Sequence, residues 1–147
     1  MILTRYLLSD YKNIKSDTIL YNTIVIMKMT MKKLAKEIYL YCRQNHLWGD
    51  NIIYFDGKAW SSYDEWSGVQ GKEIAPELYE YENRNPRDYI EYSNPDTITM
   101  SFEGPLNTAL NYGFEFSAYA NVEEELQEIF GKYGLYFEQG YSWSLAG

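Results

Sequence analysis

The stretch NIIYFDGKAWSSY, residues 51–63, decides the architecture. β-Branched and aromatic residues crowd both sides of Asp56-Gly57. An Asp-Gly pair tolerates the positive φ angles of a two-residue type I′ turn, whose twist matches that of paired strands. The stretch therefore predicts an antiparallel hairpin, and a sheet built from short local connections.

Further along, DTITMSFEG at 96–104 predicts a strand, with Ile98, Met100 and Phe102 on one face and Thr97, Thr99, Ser101 and Glu103 on the other. In LYEYE at 78–82, tyrosine and glutamate alternate with a period of two, which favours a strand. A competing helical reading starts at Pro76 and places Ile74, Leu78 and Tyr81 on one face. LYFEQGYSWSL at 135–145 predicts a strand or a hairpin about Gln139-Gly140.

Helical periodicity lies on either side of these strands. Leu34, Ile38, Tyr41 and Cys42 recur at helical spacing over 31–47, with Thr30 as the capping residue and WGDN as the stop. Pro105 suits the first turn of a short helix, PLNTALNY. ANVEEELQEIFGKYG predicts a further helix, capped by Asn121, with Val122, Leu126, Ile129 and Phe130 inward and Gly131 or Gly134 at its end. Glu123 to Glu125 then lie at its positive N-terminal end. The whole predicts an α+β fold, an antiparallel sheet of about four to six strands with helices packed on one face.

Residues 31–147 read as a single domain, of a size that buries a core without staples. Residues 1–30 read as an N-terminal extension or an extra strand, because TILYNTIVIM at 18–27 is rich in β-branched residues. Met27, Met29 and Met31 each offer a start for the domain. No apolar run reaches the length of a membrane span, and a lone Cys42 implies no disulfide, so a soluble cytoplasmic protein is expected.

The net charge of −8 is unevenly spread. Residues 1–45 hold eight Lys or Arg against three acids, +5; residues 46–147 hold five against eighteen, −13. Nucleic-acid affinity rests on cations that neutralise phosphates, so direct nucleic-acid binding is not expected. An acidic surface instead draws basic partners.

Catalytic residue types are scarce. With one cysteine and one histidine, structural zinc is excluded, and no calcium-loop or phosphate-loop motif is present. No cofactor and no metal are expected. Cys42 and His46 stand four apart on the first predicted helix, the spacing of a nucleophile and its base. Cys42 on the apolar side reads more simply as a small core residue, and His46 as a helix-end residue. Asp64 and Glu65, between Trp60 and Trp66, are the one carboxylate pair open to a glycosidase reading.

The most unusual segment is PELYEYENRNPRDYIEYSNPD, residues 76–96, with four tyrosines and six carboxylates. A tyrosine ring among acids receives the stem of a Lys or Arg while the acid pairs with its charged head. The expected partner-binding set is Asp64, Glu65, Glu77, Glu80, Glu82, Asp88, Tyr89, Glu91, Tyr92 and Asp96. In size and in this acidic-aromatic stretch, the chain resembles small acidic inhibitors of phages and mobile elements, of the anti-CRISPR and antirestriction type. That resemblance implies a non-enzymatic protein that covers the basic, nucleic-acid-binding surface of a partner enzyme. The alternative expectation is a small-molecule or carbohydrate-binding module built on Trp60, Trp66 and nearby tyrosines.

Overall fold

The computed structural model describes residues 2–63, 69–70, 78–113 and 117–147. The chain forms two compact units, Met1–Thr30 and Met31–Gly147.

The first unit is helical. Helix α1 runs Ile2–Gln44, so residues 18–27 are helix and not the strand that their composition predicts. The physical reason lies in what surrounds them. No Gly or Pro occurs before Gly49. Once nucleated, a helix gains one hydrogen bond for each residue added. The threonine hydroxyls are satisfied in place: Thr23 Oγ1 donates to the Ile19 carbonyl at 2.8 Å and Thr30 Oγ1 to that of Ile26 at 2.7 Å. Thr30 is thus an interior residue and not a cap. β propensity needs a neighbouring strand to express it, and among the described residues of this unit there is none. Among the described residues, no helix is long and apolar enough to cross a membrane.

In the second unit the Asp56-Gly57 hairpin forms as expected. Strands β1 (Asn51–Phe55) and β2 (Lys58–Ser61) pair antiparallel. Both turn residues have positive φ, 48° and 71°. Five further strands follow: β3 (Val69–Gln70), β4 (Tyr79–Tyr81), β5 (Ile98–Phe102), β6 (Glu138–Tyr141) and β7 (Ser144–Ala146). They form one antiparallel sheet in the order β3-β4-β2-β1-β5-β7-β6. With α2 (Pro105–Tyr112) and α3 (Val122–Gly131) beside α1, the fold is α+β with helices on one face. The sheet has six strands of three residues or more, as expected, and the two-residue β3 at its edge.

The core lies between that face and the helices. Ile53, Phe55, Trp60, Met100, Phe102 and Leu145 from the sheet meet Leu34, Ile38 and Cys42 of α1, Leu106 of α2, and Leu126 and Phe130 of α3. Burying each such large apolar side chain contributes roughly 1.5 to 3 kcal/mol, so this layer dominates the stability.

Two helices end in the same way. At α3, Leu135 N–H reaches the Phe130 carbonyl and Gly134 N–H that of Gly131, with Gly134 at φ 74°. At α1, Leu47 N–H reaches the Cys42 carbonyl and His46 N–H that of Arg43, with His46 at φ 57°. His46 therefore occupies a left-handed position that normally selects glycine. We expect His46→Gly to stabilise the protein by about 1 kcal/mol, the usual cost of a left-handed non-glycine residue. A melting temperature that falls in this variant would show that the imidazole makes a compensating contact.

Two local expectations are corrected. Asn121 stands at the start of α3 but makes no side-chain capping bond. The last hairpin turns at Ser142-Trp143 and not at Gln139-Gly140. Gly140 lies within β6, at the register shift between Gln139 and Tyr141. A Cβ there would stand 2.5 Å from Tyr92 Cβ, so the glycine serves close packing against Tyr92.

Candidate functional site

The helix-free face of the sheet carries the candidate site. Residues directly opposite in a ladder share a face. One row across this face is therefore Tyr79, Ser61, Ile52, Ser101 and Ser144; the next is Tyr81, Ala59, Tyr54, Thr99 and Ala146. Small residues dominate both rows and leave a shallow trough between the aromatic groups.

The segment after β4 crosses this trough and covers the second row. It starts in a single 3₁₀ turn, Pro86–Asp88, capped by Asn85, whose Oδ1 accepts from Arg87 N–H at 3.0 Å. Tyr89 then stacks on Tyr54, with ring centroids 5.8 Å apart, and Ile90 is buried beside them. Asn94 N–H donates to Thr99 Oγ1 at 2.8 Å, while Asn94 Nδ2 and Thr97 Oγ1 both donate to the Gly147 carbonyl. The first row stays open. A hollow of about 190 Å³ remains there, lined by Asp50, Ile52, Tyr54, Tyr63, Tyr89, Ile90, Ser101, Glu103 and Trp143.

The expected partner-binding residues separate into three groups. Asp64, Glu65 and Glu77 lie outside the described residues, as do Pro76 and Trp66. Glu80 is half-buried on the helix side of the sheet, where its Oε1 accepts from Trp60 Nε1 at 3.0 Å. That bond ties Glu80 to the core. Glu82, Asp88, Glu91 and Asp96 are exposed on the crossing segment, with Tyr89 at 46% and Tyr92 at 55% exposure. Glu82 pairs with Lys58 Nζ at 3.8 Å, and Glu91 accepts from Tyr141 Oη at 2.8 Å. That hydrogen bond raises the Tyr141 hydroxyl above the usual phenol range.

Burial reassigns the other candidate chemistry. Cys42 is fully buried, and desolvation pushes its thiol up to about 12. A thiol held protonated inside a core is no nucleophile. His46 serves the helix end described above. Trp60 is 1% exposed, edge-on to Phe55 in the core, so it offers no sugar platform. Among the described residues, no group of three or more His, Cys, Asp or Glu is placed to hold a metal ion.

The residues that pattern reading missed are Asp50, Tyr54, Glu103 and Trp143, which come from different segments and meet only in the folded sheet. Gly104 is what brings two of them together. Glu103 N–H donates to the Asp50 carbonyl at 3.1 Å, and a Cβ on Gly104 would lie 2.4 Å from the Gly49 carbonyl oxygen. Backbone meets backbone there, so no side-chain movement relieves the clash. Gly104→Ala is expected to cost roughly 2 to 3 kcal/mol, the upper range for overpacking. Denaturant titration checks this; a loss under about 0.5 kcal/mol would mean that the 49–50 segment moves freely.

In comparisons with known proteins, no family model, no curated protein and no solved structure matches this chain. The fold and the face therefore define the class by themselves: an α+β protein whose antiparallel sheet has one helix-covered face and one open, aromatic face with an acidic rim.

Proposed function

We propose that this chain is a non-enzymatic interaction protein that docks on a basic surface of a cytoplasmic partner and blocks it. The preferred partner is a nucleic-acid-binding enzyme, covered in the manner of anti-CRISPR or antirestriction proteins. One observation carries the reading: four exposed carboxylates, Glu82, Asp88, Glu91 and Asp96, on a single short segment that also presents the exposed rings of Tyr89 and Tyr92. A Lys- and Arg-rich channel supplies the complementary charge, and its side-chain stems pack on such rings. The −13 balance beyond residue 45 extends the attraction past the contact itself.

The test is capture from host lysate on the immobilised protein, followed by a salt gradient. The expected partner is a nucleic-acid enzyme that is retained at about 50 mM salt and released well before about 1 M, where the Debye length shrinks to about 3 Å. Its own nucleic acid should compete with this protein for it. Retention that ignores both salt and competing nucleic acid would sink the reading.

A further inference from the structure

We infer that the hollow over Ile52 is an anchor site for one arginine side chain of a partner protein; this rests on the interaction reading above and names the contact at its centre. Size limits the occupant first. At about 190 Å³ the hollow is smaller than the 300 Å³ or more of an ordinary small-molecule pocket, and suits one side chain. Its floor is apolar, the buried Ile52 and Tyr54. Tyr63, Tyr89 and Trp143 line it as well, Tyr63 and Tyr89 exposed and Trp143 half-buried; Tyr89 stacks on Tyr54, and Trp143 on Tyr141 at 5.2 Å. Aromatic residues attract a cation through the negative faces of their rings.

Charge then selects the occupant. Asp50 and Glu103 stand at the hollow, both exposed, and among the described residues neither carboxylate has an ion-pair partner. Among the described residues, no lysine or arginine lines the hollow; Lys58 pairs with Glu82, and Arg84 lies over the Tyr81 ring at 5.8 Å. The backbone that carries the two acids is tied together at this point. Asp50 is held at φ 53°, and its carbonyl is bonded to Glu103 N–H beneath the Gly104 contact. Carboxylates beside aromatic residues favour a planar guanidinium, which stacks and bonds a carboxylate through two N–H groups at once; an ammonium does only one of these well.

The experiment uses the full chain and Nα-acetyl-arginine methylamide as the probe, followed by NMR. Nα-Acetyl-citrulline methylamide is the neutral isostere and Nα-acetyl-lysine methylamide the point-charge control. Saturable shifts are expected at the Trp143 indole N–H and at the Tyr89 ring, with a Kd on the order of millimolar for so small a fragment. Lysine should bind more weakly, and citrulline should not saturate. The double variant Asp50→Asn with Glu103→Gln should weaken the arginine probe at least about tenfold while its melting curve stays unchanged, the loss of a charge-assisted contact. Asparagine keeps the left-handed backbone accessible at position 50.

Equal shifts with citrulline, no saturation by about 50 mM, or an unaltered response in the double variant would overturn the anchor. The outcome is separable from that of the broader reading. If a salt-sensitive basic partner is captured and the double variant binds it normally, the anchor falls and the interaction reading stands. If the arginine probe saturates as described but no basic partner is captured, the site stands and the interaction reading falls.

Discussion

Replacing Glu82, Asp88, Glu91 and Asp96 together by Lys is expected to abolish capture of the basic partner while leaving the fold intact. All four side chains are exposed, and the interactions lost are small. The Lys58–Glu82 pair spans 3.8 Å between partly exposed groups, and such pairs contribute about 0 to 1 kcal/mol. The Tyr141 bond to Glu91 is likewise at the surface. Against a basic surface, each reversal replaces an attraction with a repulsion of roughly 1 to 4 kcal/mol, depending on the local dielectric. A micromolar to nanomolar complex has only about 8 to 12 kcal/mol in total. Four such repulsions total about 4 to 16 kcal/mol, on top of the four attractions lost, which is enough to abolish capture.

Glu80 is left untouched in that variant because its bond to Trp60 Nε1 belongs to the core, and a lysine there would damage the fold itself. The control reverses Glu123, Glu124 and Glu128, exposed residues of α3 on the helix-covered side. Two of these lie in the first turn of α3, so their reversal should cost about 0.3 to 1 kcal/mol each through the helix dipole, and leave binding alone. Normal capture by the fourfold variant, with capture lost in the control, would move the functional face to the helices.

Stability is expected to collapse between pH 9 and pH 12. Burial pushes the Cys42 thiol from its ordinary 9.0 up to about 12. Below pH 9 the thiol is protonated in folded and unfolded chains alike, and its contribution is fully present. Above pH 9 the unfolded chain releases the proton while the folded chain retains it, so stability falls with rising pH until the folded thiol also titrates. At about 1.4 kcal/mol per pH unit for one proton, the loss approaches roughly 4 kcal/mol by pH 12. Tyr133, pushed up to about 12 by its hydrogen bond to Glu37, and Tyr41, raised by burial and by its bond to Glu125, act in the same direction from about pH 10 upward.

Cys42→Ala separates the thiol from the tyrosines. The variant should be about 1 kcal/mol less stable at pH 7, where it only loses packing. Its stability should then decline less steeply above pH 9, so that the two denaturation curves converge and cross as pH rises. Curves that remain parallel from pH 8 to 11.5 would show that the thiol does not titrate with unfolding.

The elements that were legible in the sequence are those whose signals are local. Asp56-Gly57 carries its turn geometry in two residues, and Ile98, Met100 and Phe102 declare their common face by alternation alone. Pro105 begins α2, and Val122, Leu126 and Phe130 mark the inner face of α3, whatever lies around them. Where two local signals competed, composition misled. TILYNTIVIM is β-branched enough for a strand, yet it continues a helix, because no Gly or Pro interrupts it and the described residues of its own unit offer no strand to pair with. Gly140 looks like a turn residue but answers to the side chain of Tyr92, nearly fifty positions away.

The site itself was the least legible part. The acidic-aromatic character of residues 76–96 was plain, but the fate of each carboxylate was not. Glu80 and Glu82 look equivalent in YEYE, but β4 ends at Tyr81: Glu80 lies opposite Trp60 in the ladder and accepts from its indole, while Glu82 lies beyond the strand at the surface. The hollow draws Asp50 from a helix–strand loop, Ile52 and Tyr54 from β1, Tyr89 from the crossing segment, Glu103 from the end of β5, and Trp143 from the last turn. Composition alone determined that this protein is acidic, aromatic and poor in catalytic residue types. Which rings and acids face one another was decided only by sheet register, because a shift of one residue in any ladder sends every side chain of that strand to the opposite face.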